Sequence, residues 1–337
     1  MAQIIRFHRT GGPEVLQLEN LPPATPRNGE VRLTVEAIGL NRADILFRKG
    51  KYLETPSLPS RLGYEATGII DAIGDGVTGL KIGDRVSTIP AFSMREYGVY
   101  GDSAVVPAHA ITSHPPNLTP TESAASWMQY LTGYFALFEL GNLRPGQHVL
   151  ITAASSSTGL AAIQLTKTAE AIAIATTRTH AKKQSLLDAG AEEVIVTEEG
   201  RFVDRIMELT KGRGVDIIYD PIAGPGLRNL GEVITHHGTI IVYGALSPEP
   251  TIFPIYPALI KSFKFYVYKI FDFTGNPILQ LPRNEEAFNR GKSYVYEALE
   301  SGKFKPIIDR TFPLKDVTEA HRYMESNRQR GKIVVMI

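Results

Sequence analysis

The sequence predicts an α/β fold in which a doubly wound parallel sheet is combined with a β-rich domain. Between residues 128 and 268, short apolar segments alternate with segments of helical spacing, the pattern of a parallel sheet covered on both faces. Residues 1–123 instead contain short strands separated by turns rich in Gly and Pro. A length of 337 residues suits two ordinary globular domains.

The elements of both regions follow from hydrophobic periodicity and turn residues. In the β-rich region, strands are expected at 4–7, 15–18, 31–37 and 68–73. In the parallel region, strands are expected at 148–151, 172–176, 194–196, 215–219 and 239–243, with helices at 180–189 and 201–209. A further helix continues through Leu160 from the turn that follows the first of these strands.

That turn has the small side chains that a dinucleotide phosphate site requires. Such sites follow the pattern G-x-G-x-x-G, and the corresponding residues here are Ala154, Ser156 and Gly159. A helix N-terminus offers free N–H groups to phosphate, and neighbouring hydroxyls add donors from Ser155, Ser157 and Thr158. Only the last glycine of the pattern is kept, so an ordinary strand-to-helix turn is the alternative interpretation.

The end of the second parallel strand predicts which dinucleotide binds. NAD sites carry an acidic residue there to hold the ribose hydroxyls. This chain has Thr177 and Arg178 instead, followed by Lys182 and Lys183. Because cations at a helix N-terminus oppose the helix dipole, a ligand phosphate is a better reason for them than a solvated helix start. The expected cofactor is therefore NADPH.

Composition excludes several classes of function. The net charge of +1 gives no reason to expect a nucleic acid or an acidic membrane surface as partner, and no apolar run is long enough to cross a bilayer. The absence of Cys excludes disulfides, thiol catalysis and thiolate metal sites. With no signal-peptide pattern at the N-terminus, we expect a cytoplasmic enzyme.

Several segments together resemble the medium-chain dehydrogenase/reductase superfamily, within it the zinc-free quinone oxidoreductase branch. They occur in the family's order and span the chain: Ala37–Asp44, Arg61–Gly68, Lys81–Val86, Arg144–Gly146, the phosphate turn and Glu325–Val335. The resemblance implies a GroES-like catalytic domain formed by both termini and an inserted Rossmann-like domain. We expect residues 1–127 and 269–337 in the catalytic domain and 128–268 in the nucleotide-binding domain.

The resemblance also indicates that no metal is bound. Zinc members of the superfamily use a Cys and a His from two N-terminal motifs, and these positions are Asn41 and Tyr64 here. The family's four-Cys lobe has no counterpart, and the eight His residues are scattered. Because zinc needs three or four converging ligands, we predict no metal site.

The implied reaction is NADPH-dependent two-electron reduction of quinones or α,β-unsaturated carbonyls. Conjugation spreads the developing charge, so hydrogen-bond donors and one acid suffice. Tyr52 matches the family's tyrosine and is the expected acid, with packing against substrate as the alternative. Asn41 is expected to hydrogen-bond a carbonyl oxygen or the nicotinamide ribose. An enoyl-thioester reductase and a non-enzymatic NADPH-binding sensor remain open as alternatives.

The resemblance also implies cofactor and subunit contacts. Further cofactor contacts are expected from Thr132, Gly244, Ala245, Asn327 and Lys332. The aromatic segment 263–268 is expected to be an edge strand that pairs with its copy in a homodimer, since an exposed edge of this kind needs covering. The alternative is that Tyr266, Tyr268 and Phe271 line the substrate entrance.

Overall fold

The computed structural model describes all 337 residues and contains fifteen strands and eleven α-helices. The strands, in chain order, are β1 Ala2–Arg6, β2 Gln17–Leu21, β3 Glu30–Gly39, β4 Glu65–Ile73, β5 Arg85–Thr88, β6 Ser103–Pro107, β7 Ile111–Ser113, β8 His148–Ile151, β9 Ile172–Thr177, β10 Glu193–Val196, β11 Val215–Asp220, β12 Ile234–Val242, β13 Lys264–Val267, β14 Ile308–Pro313 and β15 Lys332–Met336. The helices are α1 Arg42–Arg48, α2 Pro120–Ser123, α3 Trp127–Tyr134, α4 Ser157–Thr168, α5 Lys183–Asp188, α6 Phe202–Leu209, α7 Leu227–Val233, α8 Ile255–Lys261, α9 Phe271–Thr274, α10 Glu285–Glu300 and α11 Val317–Glu325. None of these helices has both the length and the hydropathy of a membrane span.

The chain divides into two compact units. One comprises Met1–Gln129 together with Phe271–Ile337, and the other comprises Tyr130–Ile270. The boundaries drawn from the sequence, after residues 127 and 268, lie two residues earlier. The first boundary falls inside α3, between Gln129 and Tyr130. Because the helix is continuous there, no turn residues in the sequence mark the boundary. We call the first the catalytic unit and the second the nucleotide unit.

The nucleotide unit is built on a six-stranded parallel sheet. Its strand order is β10-β9-β8-β11-β12-β13, and β8, β9 and β11 are buried over most of their length. Such strands read as continuous apolar runs because helices cover both faces. The strand order reverses between β8 and β11, and open sheets of this kind bind ligands at the carboxyl ends of the strands beside that reversal.

The catalytic unit contains a mixed sheet and a two-stranded one. The larger sheet has the order β14-β15-β3-β4-β5-β7, with β6 pairing β3, while β1 and β2 form an antiparallel pair. The C-terminal strand β15 lies antiparallel to β3, so the C-terminal segment returns to the sheet that contains β3 and β4. Several predicted strands are longer or shifted: the segment 15–18 is partly a 3₁₀ turn at Pro13–Val15, with β2 beginning at Gln17.

Candidate active site

The turn between β8 and α4 forms an open cradle of backbone and hydroxyl groups. The side chain of Ser156 caps α4 by accepting a hydrogen bond from the Gly159 N–H at 3.1 Å. A Cβ atom at Gly159 would lie 2.6 Å from both Cα and O of Ala154, so only glycine permits this approach. Helix α4 begins at Ser157 rather than near Leu160, because the small polar residues supply its cap and first turn. The residues around the cap remain partly exposed: Ser155, Ser156, Ser157 and Thr158.

A cation reaches this cradle from the end of the neighbouring strand. The ammonium of Lys182 donates to the Ser155 hydroxyl at 3.2 Å. Thr177 is buried at the end of β9 and donates to the carbonyl of Thr179 at 3.4 Å, while the Arg178 side chain is exposed. Three of the residues predicted to select NADPH therefore lie at the carboxyl end of β9, and one of them is joined to the phosphate turn.

Two tyrosines beside the same cradle were missed by the sequence analysis. Tyr219 in β11 and Tyr243 after β12 stack with ring centroids 3.9 Å apart and an interplanar angle of 14°. Burial raises the pKa of Tyr243, with the charge of Asp220 next, while hydroxyls that include those of Ser156 and Thr158 lower it. Each tyrosine is the last residue of a predicted strand, and this position was the signal in the sequence that could have identified it as a site residue. Gly244 and Ala245 follow directly, and Ala245 is exposed.

In the catalytic unit, Asn41, Glu65 and Lys332 form a buried cluster. The Lys332 ammonium donates to the Asn41 side-chain oxygen at 2.7 Å and to the Glu65 carboxylate at 2.5 Å. The Asn41 amide donates to the Gly39 carbonyl at 3.1 Å and to Glu65 at 3.3 Å. The other Glu65 oxygen accepts from the Met128 N–H at 3.0 Å.

The sheet order explains this convergence. β15, which begins at Lys332, and β4, which begins at Glu65, lie on either side of β3, whose last residue is Gly39. A Cβ atom at Gly39 would lie 2.0 Å from the Ala124 carbonyl oxygen, and 2.9 Å from the Glu65 carboxylate and from Lys332 Cε. Glycine at the end of β3 therefore lets the ion pair form across it. Lys332 is a predicted cofactor contact, and its ammonium is hydrogen-bonded to Asn41 and Glu65 of the same chain.

Tyr52 lies on the segment that follows α1 and is partly buried. Burial, followed by the charges of Glu54 and Asp44, raises its pKa, whereas a hydrogen bond with Tyr64 lowers it. The Tyr52 and Tyr64 ring centroids are 6.3 Å apart. Tyr64 is fully buried and donates a hydrogen bond to Glu54 at 3.3 Å. The sequence analysis named Tyr52 and Tyr64 but missed Glu54, two residues after Tyr52.

The remaining predicted contacts lie apart from these groups. Thr132 is buried within α3. Asn327 is exposed, has a φ of 56°, and its side-chain oxygen accepts from the Arg42 guanidinium at 2.6 Å. Both residues stay predictions as cofactor contacts.

The residues at the zinc-ligand positions of the family do not fit zinc. The Asn41 side-chain oxygen faces the Lys332 ammonium, which is a cation rather than a site for one. Tyr64 packs against Phe92 and Phe271 with ring centroids 5.4 Å and 5.5 Å away. No group of three or more His, Cys, Asp or Glu residues is placed to hold a metal ion.

Comparison with known proteins identifies the family. The family model described as alcohol dehydrogenase GroES-like domain matches residues 27–116, and the model described as zinc-binding dehydrogenase matches residues 189–335. Quinone oxidoreductase 1 of Escherichia coli (strain K12) is 32% identical over 339 residues, covering 100% of both chains. The chain belongs to the medium-chain dehydrogenase/reductase superfamily. Within that superfamily, it lies in the quinone oxidoreductase-like branch.

Other members of the superfamily extend this similarity. The synaptic vesicle membrane protein VAT-1 homolog of Rattus norvegicus is 30% identical over 336 residues, which cover 97% of this chain and 82% of that protein. The crystal structure of Escherichia coli quinone oxidoreductase complexed with NADPH superposes with a TM-score of 0.88 at 30% identity, covering 100% of both chains. The predicted family and fold class are confirmed, and the chain is an oxidoreductase.

Proposed function

We propose that this oxidoreductase reduces quinones or α,β-unsaturated carbonyl compounds with NADPH and without zinc. The observation that carries the proposal is the Asn41–Glu65–Lys332 cluster, in which Asn41, at one of the two positions where the resemblance places a zinc ligand, binds an ammonium instead. Reduction of a simple ketone concentrates negative charge on one oxygen and gains most from a metal Lewis acid. A conjugated acceptor spreads that charge, so fixed donors suffice.

The residues of the nucleotide unit fit NADPH. The N–H groups at the start of α4 and the hydroxyls of Ser155 and Thr158 suit the cofactor's phosphates. Lys182, already hydrogen-bonded to Ser155, and Arg178 suit the additional phosphate that distinguishes NADPH from NADH. The NADPH complex of the Escherichia coli relative supports the same choice. When bound, NADPH supplies a hydride.

The catalytic unit supplies the proton that the reduced substrate also needs. Tyr52 holds that proton on its phenol oxygen, and burial and the charges of Glu54 and Asp44 raise its pKa above the ordinary value for tyrosine. Asn41 orients Lys332 and Glu65 through its amide, and its contact with substrate stays a prediction.

The test is NADPH oxidation after treatment with a metal chelator. The acceptor panel contains a naphthoquinone, an acyclic enone and an enoyl thioester, with NADH assayed in parallel. We expect turnover of the quinone or the enone that is unchanged by the chelator and faster with NADPH than with NADH. Turnover that is lost on chelation and restored by Zn²⁺ would overturn the zinc-free mechanism. Preference for the thioester would transfer the proposal to enoyl-thioester reduction.

We also propose that the chain forms a homodimer through β13. β13 is the last strand of the parallel sheet, pairs only with β12, and leaves its other edge without a strand from this chain. Apolar side chains on β13 and the preceding α8 are exposed by 69–77%: Tyr256, Leu259, Ile260 and Val267. A patch of this kind beside an open strand edge is typical of a subunit interface.

Sedimentation velocity tests the interface. A Val267→Lys variant is expected to shift the chain from dimer to monomer. Ile82→Lys provides a matched control, since Ile82 is 66% exposed but belongs to the catalytic unit. A wild-type chain that sediments as a monomer at micromolar concentration would contradict the proposal.

A further inference from the structure

Glu54 is a buried carboxylate held only by neutral donors. Its side chain is 2% exposed. One oxygen accepts hydrogen bonds from the Tyr64 hydroxyl at 3.3 Å and the Asn276 amide at 2.5 Å, and the other accepts from the Ser93 hydroxyl. No Lys, Arg or His pairs with it. Burial of an ionised group without a counterion is costly, so this arrangement calls for a function.

The hydrogen bonds lead from Glu54 toward Tyr52. Tyr64 donates to Glu54, and its ring lies 6.3 Å from that of Tyr52 between centroids. Three titratable groups act on the Tyr52 phenol: Glu54 from the same loop, Asp44 from α1, and Tyr64 from the segment before β4.

The aromatic packing fixes this geometry. Tyr64 packs against Phe92 and Phe271, and Asn276, which donates to Glu54, also accepts a hydrogen bond from the Leu279 N–H at 3.1 Å. A buried ring and a buried amide with few alternative rotamers keep the carboxylate in one orientation. The Glu54 carboxylate is therefore held in one position relative to its neighbours.

We propose that Glu54 is a positioning residue for Tyr52: its hydrogen bond holds the Tyr64 ring against Tyr52, and its charge opposes ionisation of the phenol. The proposal rests on the proposed function, in which Tyr52 is the proton donor. Both carboxylates, Glu54 and Asp44, raise the pKa of Tyr52, and Glu54 has the larger effect of the two. Removal of the Glu54 charge should therefore let Tyr52 ionise at lower pH.

The chain contains a matched control. Glu30 is also buried and accepts a hydrogen bond from a tyrosine, Tyr97, at 2.9 Å. Burial and Glu30 raise the pKa of Tyr97 to about 12. Glu30 is not among the groups that act on Tyr52. A Glu30→Gln variant thus removes an equivalent carboxylate–tyrosine pair in the same unit without touching Tyr52.

The experiment measures the pH dependence of kcat with NADPH and the acceptor turned over fastest in the panel. For Glu54→Gln, the alkaline loss of activity is expected to move to lower pH, with about a tenfold fall in kcat per pH unit beyond the new limb. Glu54→Asp keeps the charge and is expected to retain the wild-type profile, as is Glu30→Gln. Tyr64→Phe should lower kcat without moving the alkaline limb downward.

A second measurement is independent of turnover. Ultraviolet titration of tyrosinate, taken as the difference between each protein and its Tyr52→Phe counterpart, reports ionisation of Tyr52 directly. It should show the same downward shift for Glu54→Gln, also where that variant is inactive. Should Glu54→Gln not fold, Tyr64→Phe carries the test, because a wild-type kcat in that variant would overturn the role of Glu54.

The outcomes separate the two proposals. Wild-type activity in Tyr52→Phe would overturn the role of Tyr52 as acid. Strong loss in Tyr52→Phe, combined with a wild-type profile and titration in Glu54→Gln, would overturn only the role of Glu54. An equal shift in Glu30→Gln would also overturn it, because the effect would then be a general loss of buried charge.

Discussion

The phosphate cradle and the Asn41–Glu65–Lys332 cluster are assembled in different ways. The cradle is local, since β8, its turn and the first turn of α4 follow one another along the chain. The cluster joins Asn41 to residues 24 and 291 positions away. The cradle consists of backbone N–H groups and a few small side chains. The cluster consists of three buried polar side chains that strand pairing brings together. Disruption of the cluster should therefore affect the whole catalytic unit, while disruption of the cradle should affect only ligand binding.

The largest effect is expected from Lys332→Met. This change leaves the Glu65 side chain buried without its cation, and breaking a buried ion pair costs about 3–5 kcal/mol of unfolding free energy. Denaturant unfolding followed by circular dichroism measures the loss. Adding Glu65→Gln should recover part of it, because the unpaired charge is removed.

An exposed ion pair provides the control for that result. Arg205 and Glu208 lie on the surface of α6, and pairs of this kind contribute at most about 1 kcal/mol. Arg205→Met should therefore have little effect. A similar small loss for Lys332→Met would show that the cluster does not stabilise the catalytic unit.

Tyr52→Phe is expected to lower kcat by about a hundredfold to ten-thousandfold, the usual contribution of a positioned acid. NADPH binding should stay unchanged, because the cradle residues lie in the nucleotide unit. Steady-state kinetics and a fluorescence titration with NADPH separate the two quantities. Tyr97→Phe removes a phenol elsewhere in the catalytic unit and should retain kcat. Weaker NADPH binding in Tyr52→Phe would contradict the separation of roles.

Asp44, next to the cluster, makes stability depend on pH. It accepts hydrogen bonds from the Asn41 N–H and the Tyr100 hydroxyl, and burial raises its pKa to about 7. The folded state therefore holds a proton that the unfolded state releases between pH of about 4 and 7. Relative to Asp44→Asn, the wild type should lose up to about 1.4 kcal/mol of stability per pH unit as the pH rises through this interval.

The comparison with Asp44→Asn is needed because His321 changes the stability with pH in the opposite direction. His321 is fully buried, and burial followed by the charge of Arg48 lowers its pKa to about 3. Its folded form resists protonation, so His321 removes stability as the pH falls below about 6.5. Thermal or denaturant unfolding of wild type and Asp44→Asn from pH 5 to 8 isolates Asp44. A difference that does not change with pH would contradict the assigned pKa.

The same contrast explains what the sequence could predict. The strands of the nucleotide unit and the turn up to Gly159 were recognised, because their periodicity and small residues lie in continuous segments. Asn41 and Lys332 were both named as candidates, but not as partners, since their pairing depends on β15 returning beside β3. Glu54 was missed because its identity as a buried acid comes from Tyr64, Ser93 and Asn276, which are brought together only by folding.

The smallest predicted effect tests whether the cradle is as independent as its local construction implies. Lys182→Met removes the ammonium beside Ser155 and should weaken NADPH binding about tenfold, the contribution of one charge-assisted hydrogen bond at a partly exposed site. NADH binding should hardly change, because NADH lacks the additional phosphate. Lys183→Met is the control, because Lys183 is the next residue along the chain and its side chain is exposed. Equal weakening of NADPH and NADH would place Lys182 on the shared diphosphate instead, whereas a loss of unfolding free energy would show that the cradle, like the cluster, depends on its buried neighbours.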